Sequence, residues 1–538
     1  MKSKGLVFPV TLFCTFLLSL TSISLHSAEF DIVPSAFSSL TYVERVTDSR
    51  ENFFASEVTP RILLTYRSSK LQASASVNSR NIYRDTSSDS FESYLTTNYN
   101  GRYELYNQRI FLFGNGSQQF NSVNANNLLI DDLVTNPNNL TKTRNNTAGI
   151  QAVRLGNSWF NISGNASASL FESERSSNSE TAFETTSYQT SINFTSGERF
   201  TFLRWNISSN YREAQRQNSF DTKRRNSSAD LNFALINRFF LTAGATESKQ
   251  DLNNTSGVDT FRTYSAGLLY QSRRSLLRIA YNTVDQQSRL SNNDDNEFLS
   301  VDFRLELSPR TNIAGSKGRA FFGDTESFSF NYASRKLRAS ATYTENVTAN
   351  SSVFEENSDG VFVCPDTFFS LEDCFVPETL NYQLQPGEQF TDLSTFQDNI
   401  NDSERIRKNW IFNTGYQFNR LTLSVRGSRL QSLFFDDTPD SLQHSISTSI
   451  IARLGLRTSI NANLSYIKTE FDSDTPRDSD SYFGSVGANF SIRQNFILGL
   501  QGQYRTLDSL NQFGNYQERR LLLTLTYSPQ GRGRLGQQ

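Results

Sequence analysis

The stretch FFGDTESFSFNYASRKLRASATYTENVT, residues 321–348, holds two alternating runs joined by one break in phase. In the first run Phe328, Phe330 and Tyr332 share one parity, with Ser329 and Asn331 between them; in the second, Leu337, Ala339, Ala341 and Tyr343 alternate with Arg338, Ser340 and Thr342. Successive side chains of a strand point to opposite faces, so each run reads as a strand with one apolar and one hydrated surface. The break at Ser334-Arg335-Lys336 reads as a tight turn that brings the second strand back beside the first.

The same two-residue beat recurs along the chain. In FNISGNASASLF, Phe160, Ile162, Ala166, Ala168 and Leu170 oppose Asn161, Ser163, Asn165, Ser167 and Ser169; in RTSINANLSYIK, Ile460, Ala462, Leu464 and Tyr466 oppose Asn461, Asn463 and Ser465. In RRLLLTLTY, Leu521, Leu523, Leu525 and Tyr527 oppose Thr524 and Thr526. Placed end to end, such segments number about 24 (range about 20–26), each about 21 residues with its connection, within the span of bacterial membrane barrels. The fold class expected is therefore all-β: a single up-and-down antiparallel transmembrane β-barrel over residues 29–538.

Composition supports this against a looser alternative. The 538 residues carry a formal charge of -2, 36% hydrophobic residues and a mean hydropathy of -0.50, averages that suit a soluble or disordered chain. Yet 13% are aromatic, 44 of them Phe, which is too rich for disorder; the apolar residues are patterned rather than scarce. Residues 1–28 read as a secretory signal peptide, with Lys2 and Lys4 ahead of the apolar run Gly5–Leu20. No later stretch has the 18 or so continuous apolar residues of a spanning helix. Cys14 lies in the discarded segment, leaving Cys364 and Cys374, an even pair for which a disulfide is expected in an exported chain.

Connections alternate in length. Tight turns such as Arg67-Ser68-Ser69, Ser272-Arg273-Arg274, Ser334-Arg335-Lys336 and Phe418-Asn419-Arg420 carry Arg or Lys, whereas the longer ones, such as Ser291–Glu297 and Phe471–Asp480, collect Asp and Glu. Strict alternation predicts short periplasmic turns on one rim and longer outer loops on the other. Most prolines fall in connections, with Pro60 the expected exception. One connection stands apart: residues 349–403 contain eleven acids, no Lys or Arg, and the cysteine pair. By parity it is an extracellular loop, and its length marks it as functional or disordered. Residues 528–538 form a tail beyond the last aromatic of the final strand.

The opening FDIVPSAFSSLTYVERV from Phe30, the run FFASEVTPRILLTYRSSKLQASASVNSRNIYRD from Phe53 and the block GRAFFGDTESFSFNYASRKLRASATYTENVTANSS from Gly318 resemble the PEP-CTERM/exosortase-system-associated outer-membrane β-barrel family. The resemblance implies an outer-membrane barrel in bacteria that make exopolysaccharide and sort surface proteins. It carries over no catalytic residue. The acidic cysteine loop and the tail after Tyr527 depart from that pattern.

Enzymatic motifs are weak. GRGRLG (Gly531, Gly533, Gly536) spells a dinucleotide fingerprint, but no helix can follow it to receive a pyrophosphate. His444, the one histidine after the signal segment, sits beside Ser445 and Ser447, yet Ser445 projects to the opposite face and no nucleophile elbow is present. The Asp-rich loops lack the spacing and central glycine of an EF-hand loop, leaving solvated acids as the expectation and weak divalent bridging as the alternative. No cofactor, resident metal or nucleic-acid partner is expected. The inward parity is Asn, Ser, Thr and Gln with scattered cations, among them Arg204, Arg338, Arg453 and Arg505, the candidate lumen-facing residues; no constriction of one sign is legible. The functional expectation is a channel or export-associated, porin-like protein whose partners are outer-membrane lipid and lipopolysaccharide, the barrel-assembly machinery and exopolysaccharide or its export components. A surface anchor whose acidic loop binds matrix or divalent ions is the alternative, and an outer-membrane hydrolase built on His444 a more distant one.

Overall fold

The computed structural model describes residues 28–46, 50–85, 91–122, 132–175, 182–217, 221–251, 259–287, 296–320, 322–349, 362–365, 388–391, 404–435, 439–473, 478–493, 495–509 and 515–527. The strands are β1 (Glu29–Val46), β2 (Arg50–Arg67), β3 (Leu71–Arg84), β4 (Phe91–Tyr106), β5 (Ile110–Ser122), β6 (Leu140–Gly156), β7 (Phe160–Ser173), β8 (Phe183–Ser196), β9 (Leu203–Arg216), β10 (Thr222–Ile236), β11 (Phe239–Asp251), β12 (Asp259–Gln271) and β13 (Ser275–Gln287). They continue as β14 (Glu297–Ser308), β15 (Thr311–Ala320), β16 (Gly323–Ala333), β17 (Leu337–Ala349), β18 (Phe362–Pro365), β19 (Glu388–Thr391), β20 (Glu404–Gln417), β21 (Leu421–Phe434), β22 (Ser441–Arg453), β23 (Thr458–Phe471), β24 (Ser479–Arg493), β25 (Phe496–Ser509) and β26 (Tyr516–Tyr527).

All but β18 and β19 belong to one 24-stranded antiparallel sheet. Each strand pairs with its neighbours along the chain, β17 passes directly to β20, and β26 pairs with β1, where Leu523 faces Leu40 and Leu521 faces Tyr42. The sheet therefore closes, and no edge strand is left with unpaired backbone. β18 and β19 form a separate two-stranded ribbon within the long connection. The stretch at residues 321–348 forms the hairpin β16–β17 with its turn at Ser334-Arg335-Lys336, and Phe328 faces Tyr343, Phe330 faces Ala341 and Tyr332 faces Ala339.

The barrel is inside-out relative to a water-soluble protein. Val58, Ile192, Leu268, Leu299, Leu464 and Val486 all turn outward and stand exposed, Leu464 at 64%. Buried positions are instead dominated by inward Ser, Thr, Asn, Gln and Arg, such as Ser76, Asn78, Ser424, Ser447 and Ser485. A contiguous exposed apolar belt is unfavourable in water and satisfied in hydrocarbon, so this is a membrane-inserted barrel. Aromatic pairs flank the belt as expected at the two interfaces: Tyr343 with Trp410 (4.4 Å) and Tyr466 with Tyr482 (4.7 Å) near the loop rim, and Phe194 with Trp205 (4.4 Å), Phe239 with Tyr270 (5.1 Å) and Phe496 with Tyr527 (5.0 Å) near the tight-turn rim. Outward ion pairs lie beyond the loop-side aromatics, among them Lys317 with Glu326 (2.9 Å) and Arg262 with Glu247 (2.8 Å).

The tight turns repeat one chemistry. Ser68, Ser272 and Ser334 each accept a hydrogen bond on the side-chain oxygen from the backbone N–H three residues on, at 3.0 Å, which explains the recurrent Ser-x-Lys/Arg tripeptides. At the β4–β5 and β10–β11 turns the chain instead enters the left-handed region, at Asn107, Gln108 and Asn237.

Two expectations need correction. Pro60 is not the only proline within a strand: Pro34 lies in β1 opposite Ile62, and Pro365 ends β18. Pro34 lies toward the start of β1, before β26 begins its pairing at Ala36, so its missing N–H removes no bond to that strand. Connection lengths also alternate less strictly than expected, because β1–β2 and β15–β16 join across the loop rim through only residues 47–49 and 321–322. The expected signal peptide, residues 1–28, except its last residue, the tail 528–538 and most of residues 350–403 lie outside the described residues, as does the expected Cys364–Cys374 bridge.

Candidate functional site in the barrel lumen

Strand register assigns every side chain to lipid or lumen, because partners across a ladder share a face. Arg204 on β9 faces Asn232, Arg338 on β17 faces Gly415, Arg453 on β22 faces Ser459 and Arg505 on β25 faces Phe483, all within the polar, inward set. All four expected lumen arginines thus point inward. They do not form one site, however, and their surroundings differ.

Arg505 belongs to a buried ionic cluster built around the segment that follows the β5 connection. Residues 132–139 fold inward against β25, β26 and β1–β4. Asp132 receives Arg505 Nη1 on Oδ2 at 2.6 Å, Arg520 bonds the same oxygen, and Glu518 holds the other side of Arg520. Arg520 Nη2 also donates to Thr135 Oγ1 at 2.6 Å. The second carboxylate oxygen of Asp132 accepts the backbone N–H groups of Val134 (2.6 Å) and Thr135 (2.9 Å), fixing the turn that presents it. Arg84 Nε donates to Val134 O at 2.7 Å and pairs through Nη1 with Glu92 at 2.8 Å; Arg45 Nη1 donates to Thr135 O at 3.1 Å; Asn136 donates to the Tyr516 hydroxyl at 3.2 Å. One ladder further into the lumen, Arg80 pairs with Glu57 at 2.8 Å.

An apolar seat completes this sector. Val43, Phe53, Ala55 and Ile82 point into an otherwise hydrated lumen and pack with Leu133, Val134 and Leu140. Burial pushes the Asp132 carboxyl upward, but the guanidiniums of Arg520 and Arg505 outweigh it and hold the group well below the usual carboxylate range.

A second sector, β15–β24 across the barrel wall, has a different make-up. Its lumen face carries Arg338, Arg405, Arg407, Arg426 and Arg453 among Ser, Thr, Asn and Gln, and among the described residues no carboxylate shares that face. Arg405 and Arg407 lie at the loop end of β20, Arg426 midway on β21, Arg338 one row lower and Arg453 at the tight-turn end, so cations occur at successive depths. Arg405, Arg407 and Arg426 are buried, Arg338 is exposed, and Arg405 lies over the Phe434 ring at 5.5 Å. Between the sectors, Arg278 pairs with Asp230 at 3.0 Å, and Arg204 lies over the Phe240 ring at 5.2 Å.

The sequence reading missed Asp132, Glu518, Arg520 and Arg84. Glu518 and Arg520 were within reach, because they continue the inward parity of Thr524 and Thr526. Asp132 carried a fainter sign: LLIDDLV is an apolar run inside a polar connection, which suits a segment that is covered. His444 lies on the outer face, opposite Arg429 on one side and Lys468 on the other, away from the lumen and from Ser445 and Ser447.

Neither a family model nor a curated protein matches the sequence. Among solved structures, the chain is similar to the FrpB iron transporter from Neisseria meningitidis in its apoprotein form (10% identity, TM-score 0.45, covering 92% of this chain and 81% of that one). It is also similar to the siderophore receptor PirA from Acinetobacter baumannii (7% identity, TM-score 0.42, 92% and 80% covered) and to a mutant of the ferric enterobactin receptor PfeA from Pseudomonas aeruginosa (9%, 0.42, 92% and 80%). Likeness of this degree concerns the barrel alone.

Proposed function

We propose that the protein is an outer-membrane channel serving the export of exopolysaccharide or surface proteins. The observation that carries the reading is the sorting of side chains across one closed wall: an aliphatic belt bounded by aromatics outside, and arginines, hydroxyls and amides inside. A barrel used only as an anchor needs the outer belt and places no such demand on the lumen. The resemblance of the β15–β17 block to exosortase-associated barrels supports the link to exopolysaccharide, and the outward ion pairs beyond the loop-side aromatics suit contact with lipopolysaccharide headgroups.

The test is conductance of the purified protein in planar bilayers, measured on the full chain and on a variant lacking residues 350–403. Discrete conductance steps in either form are expected. Silence of both forms, with the barrel folded by its shifted mobility in unboiled gels, refutes the channel and leaves the anchor reading, which expects cells with that deletion to lose matrix attachment.

A further inference from the structure

Most tight turns among the described residues present an exposed Arg or Lys, from Lys70 and Arg109 through Arg199, Arg238 and Arg310 to Arg420, and the β6–β7 and β24–β25 turns have theirs on the preceding strand, Arg154 and Arg493. The carboxylates near this rim, Glu29, Asp31, Glu104, Glu198 and Glu306, are outnumbered several-fold, and Glu198 is tied to Arg154 at 3.6 Å. The cationic character does not stop at the rim. Arg102 on β4, Arg204 on β9, Arg304 on β14 and Arg338 on β17 all face the lumen, are exposed, and lie within the first few ladder rows above the turns. These strands run from β4 to β17 over rather more than half of the closed wall, so the second set is a partial inner ring, with Glu104 and Glu306 on the same lumen face.

We propose that the tight-turn mouth and the lower lumen form an electropositive funnel that admits an anionic polysaccharide, of the polyuronate class, end-on from the periplasm. The proposal rests on the channel reading and names its cargo. A rim and a partial inner ring in which cations outnumber carboxylates raise the local concentration of a polyanion and lower the barrier to entry, an effect that increases association rates by about 10- to 1,000-fold at low salt. Guanidinium suits this role, since it stays charged and makes paired hydrogen bonds to carboxylates. An acidic protein docked on the rim would explain the outer ring but not the inner one, which lies inside the wall where a folded domain does not reach. A threaded chain meets both. Hydroxyl and amide side chains such as Ser329, Ser340 and Asn331, between the cations, offer hydrogen bonds to sugar hydroxyls without a fixed charge to hold the chain in place.

The test uses the full-length protein inserted in one orientation in planar bilayers under a KCl gradient, with oligogalacturonate or the neutral maltohexaose added to either side. Anion preference is expected, with block by oligogalacturonate from the tight-turn side at about tenfold lower concentration than from the loop side. The block should weaken as KCl rises from about 0.1 to 1 M and the screening length shrinks from about 10 to 3 Å. A variant with Arg204→Gln, Arg304→Gln and Arg338→Gln should lose the anion preference. One with Arg238→Gln, Arg310→Gln and Arg420→Gln should keep it but require about tenfold more blocker. Unboiled gels confirm that both variants fold. Conductance without anion preference, or equal block by the neutral sugar, overturns the proposal and leaves the channel standing. If no form conducts, the channel reading fails, and binding of fluorescent oligogalacturonate to detergent-solubilised protein decides the cargo alone. Salt-sensitive binding that weakens in the inner-ring variant supports the proposal; binding that is absent, or lost only in the turn variant, overturns it.

Discussion

Two sectors of one lumen use the same residue type in opposite ways. Between β25 and β4, arginines act as mortar: Arg505, Arg520, Arg84, Arg80 and Arg45 each meet a carboxylate, and all of these but Arg80 bond residues 132–135 to the wall. Across β15–β24 the arginines share their face with hydroxyls and amides and with no carboxylate among the described residues. The first arrangement spends its charge on structure, since a buried pair with ideal geometry offsets its own desolvation and leaves little field outside. In the second, the fixed charges on the described lumen face are all positive. A net charge of -2 for the whole chain hides both, because the long connection alone contributes eleven acids.

The largest effect expected from this contrast is at Asp132. Asp132→Asn keeps the shape but leaves Arg505 and Arg520 buried around a neutral amide, and removal of one partner from a buried ion cluster costs about 3–5 kcal/mol. The midpoint of urea unfolding, followed by loss of the fast-migrating unboiled band, should fall accordingly. The pH dependence has a definite sign. The folded carboxyl titrates below its unfolded value of about 3.9, so its contribution is complete above that value and lost as pH falls toward the folded one. Native stability should therefore be level from about pH 8 to 5 and decline in acid, with the part due to Asp132 absent from the Asn variant. An Asn variant as stable as the native chain would show that the cluster is incidental.

These sectors were unequally legible in sequence. The barrel could be read because a period of two is a property of consecutive residues: Phe328 to Tyr332 and Leu337 to Tyr343 reveal their faces without any knowledge of neighbours. The inward direction of Arg204, Arg338, Arg453 and Arg505 followed from the same parity. What parity does not reveal is what stands opposite a side chain across the lumen. Asp132 and Arg505 are separated by 373 positions, and Asp132 and Arg520 by 388, and they meet only because the barrel closes and the connection turns in. For the same reason four similar arginines in sequence became one structural clamp and three lumen cations. The acid-free face could be seen only after the register had divided Glu326, Glu345 and Glu470 from it and turned them to the outer surface.

The next effect is smaller and separates packing from charge in the clamped sector. Leu133 is 1% exposed and sits among Val43, Phe53 and Ile82, so Leu133→Ala leaves a cavity in the seat and should cost about 2–3 kcal/mol. Because no titrating group changes, its urea midpoint should shift equally at pH 5 and pH 8. A shift that varied over that range would mean that the leucine acts by steering the ion cluster rather than by filling space.

The sharpest comparison, which sets a large effect on stability against the smallest one, comes from making one substitution in both sectors. Arg505→Gln removes a cation from Asp132 at 2.6 Å and should destabilise the barrel by about 3 kcal/mol, while the reversal potential moves less than for an exposed cation because the carboxylate left uncompensated is buried against the wall, away from the open lumen. Arg338→Gln removes an exposed cation from a face that holds no carboxylate among the described residues and should alter stability less than Arg505→Gln, by no more than about 1 kcal/mol. Its effect belongs instead to the reversal potential under a salt gradient, which should move toward that of a neutral pore, and more at low than at high ionic strength because exposed charges are screened. The two readouts, urea midpoint and reversal potential, should therefore trade places between the variants. If both substitutions moved the same readout, the division of the lumen into a clamped and a charged wall would be wrong, since identical chemistry at two positions can differ in outcome only through what surrounds each guanidinium.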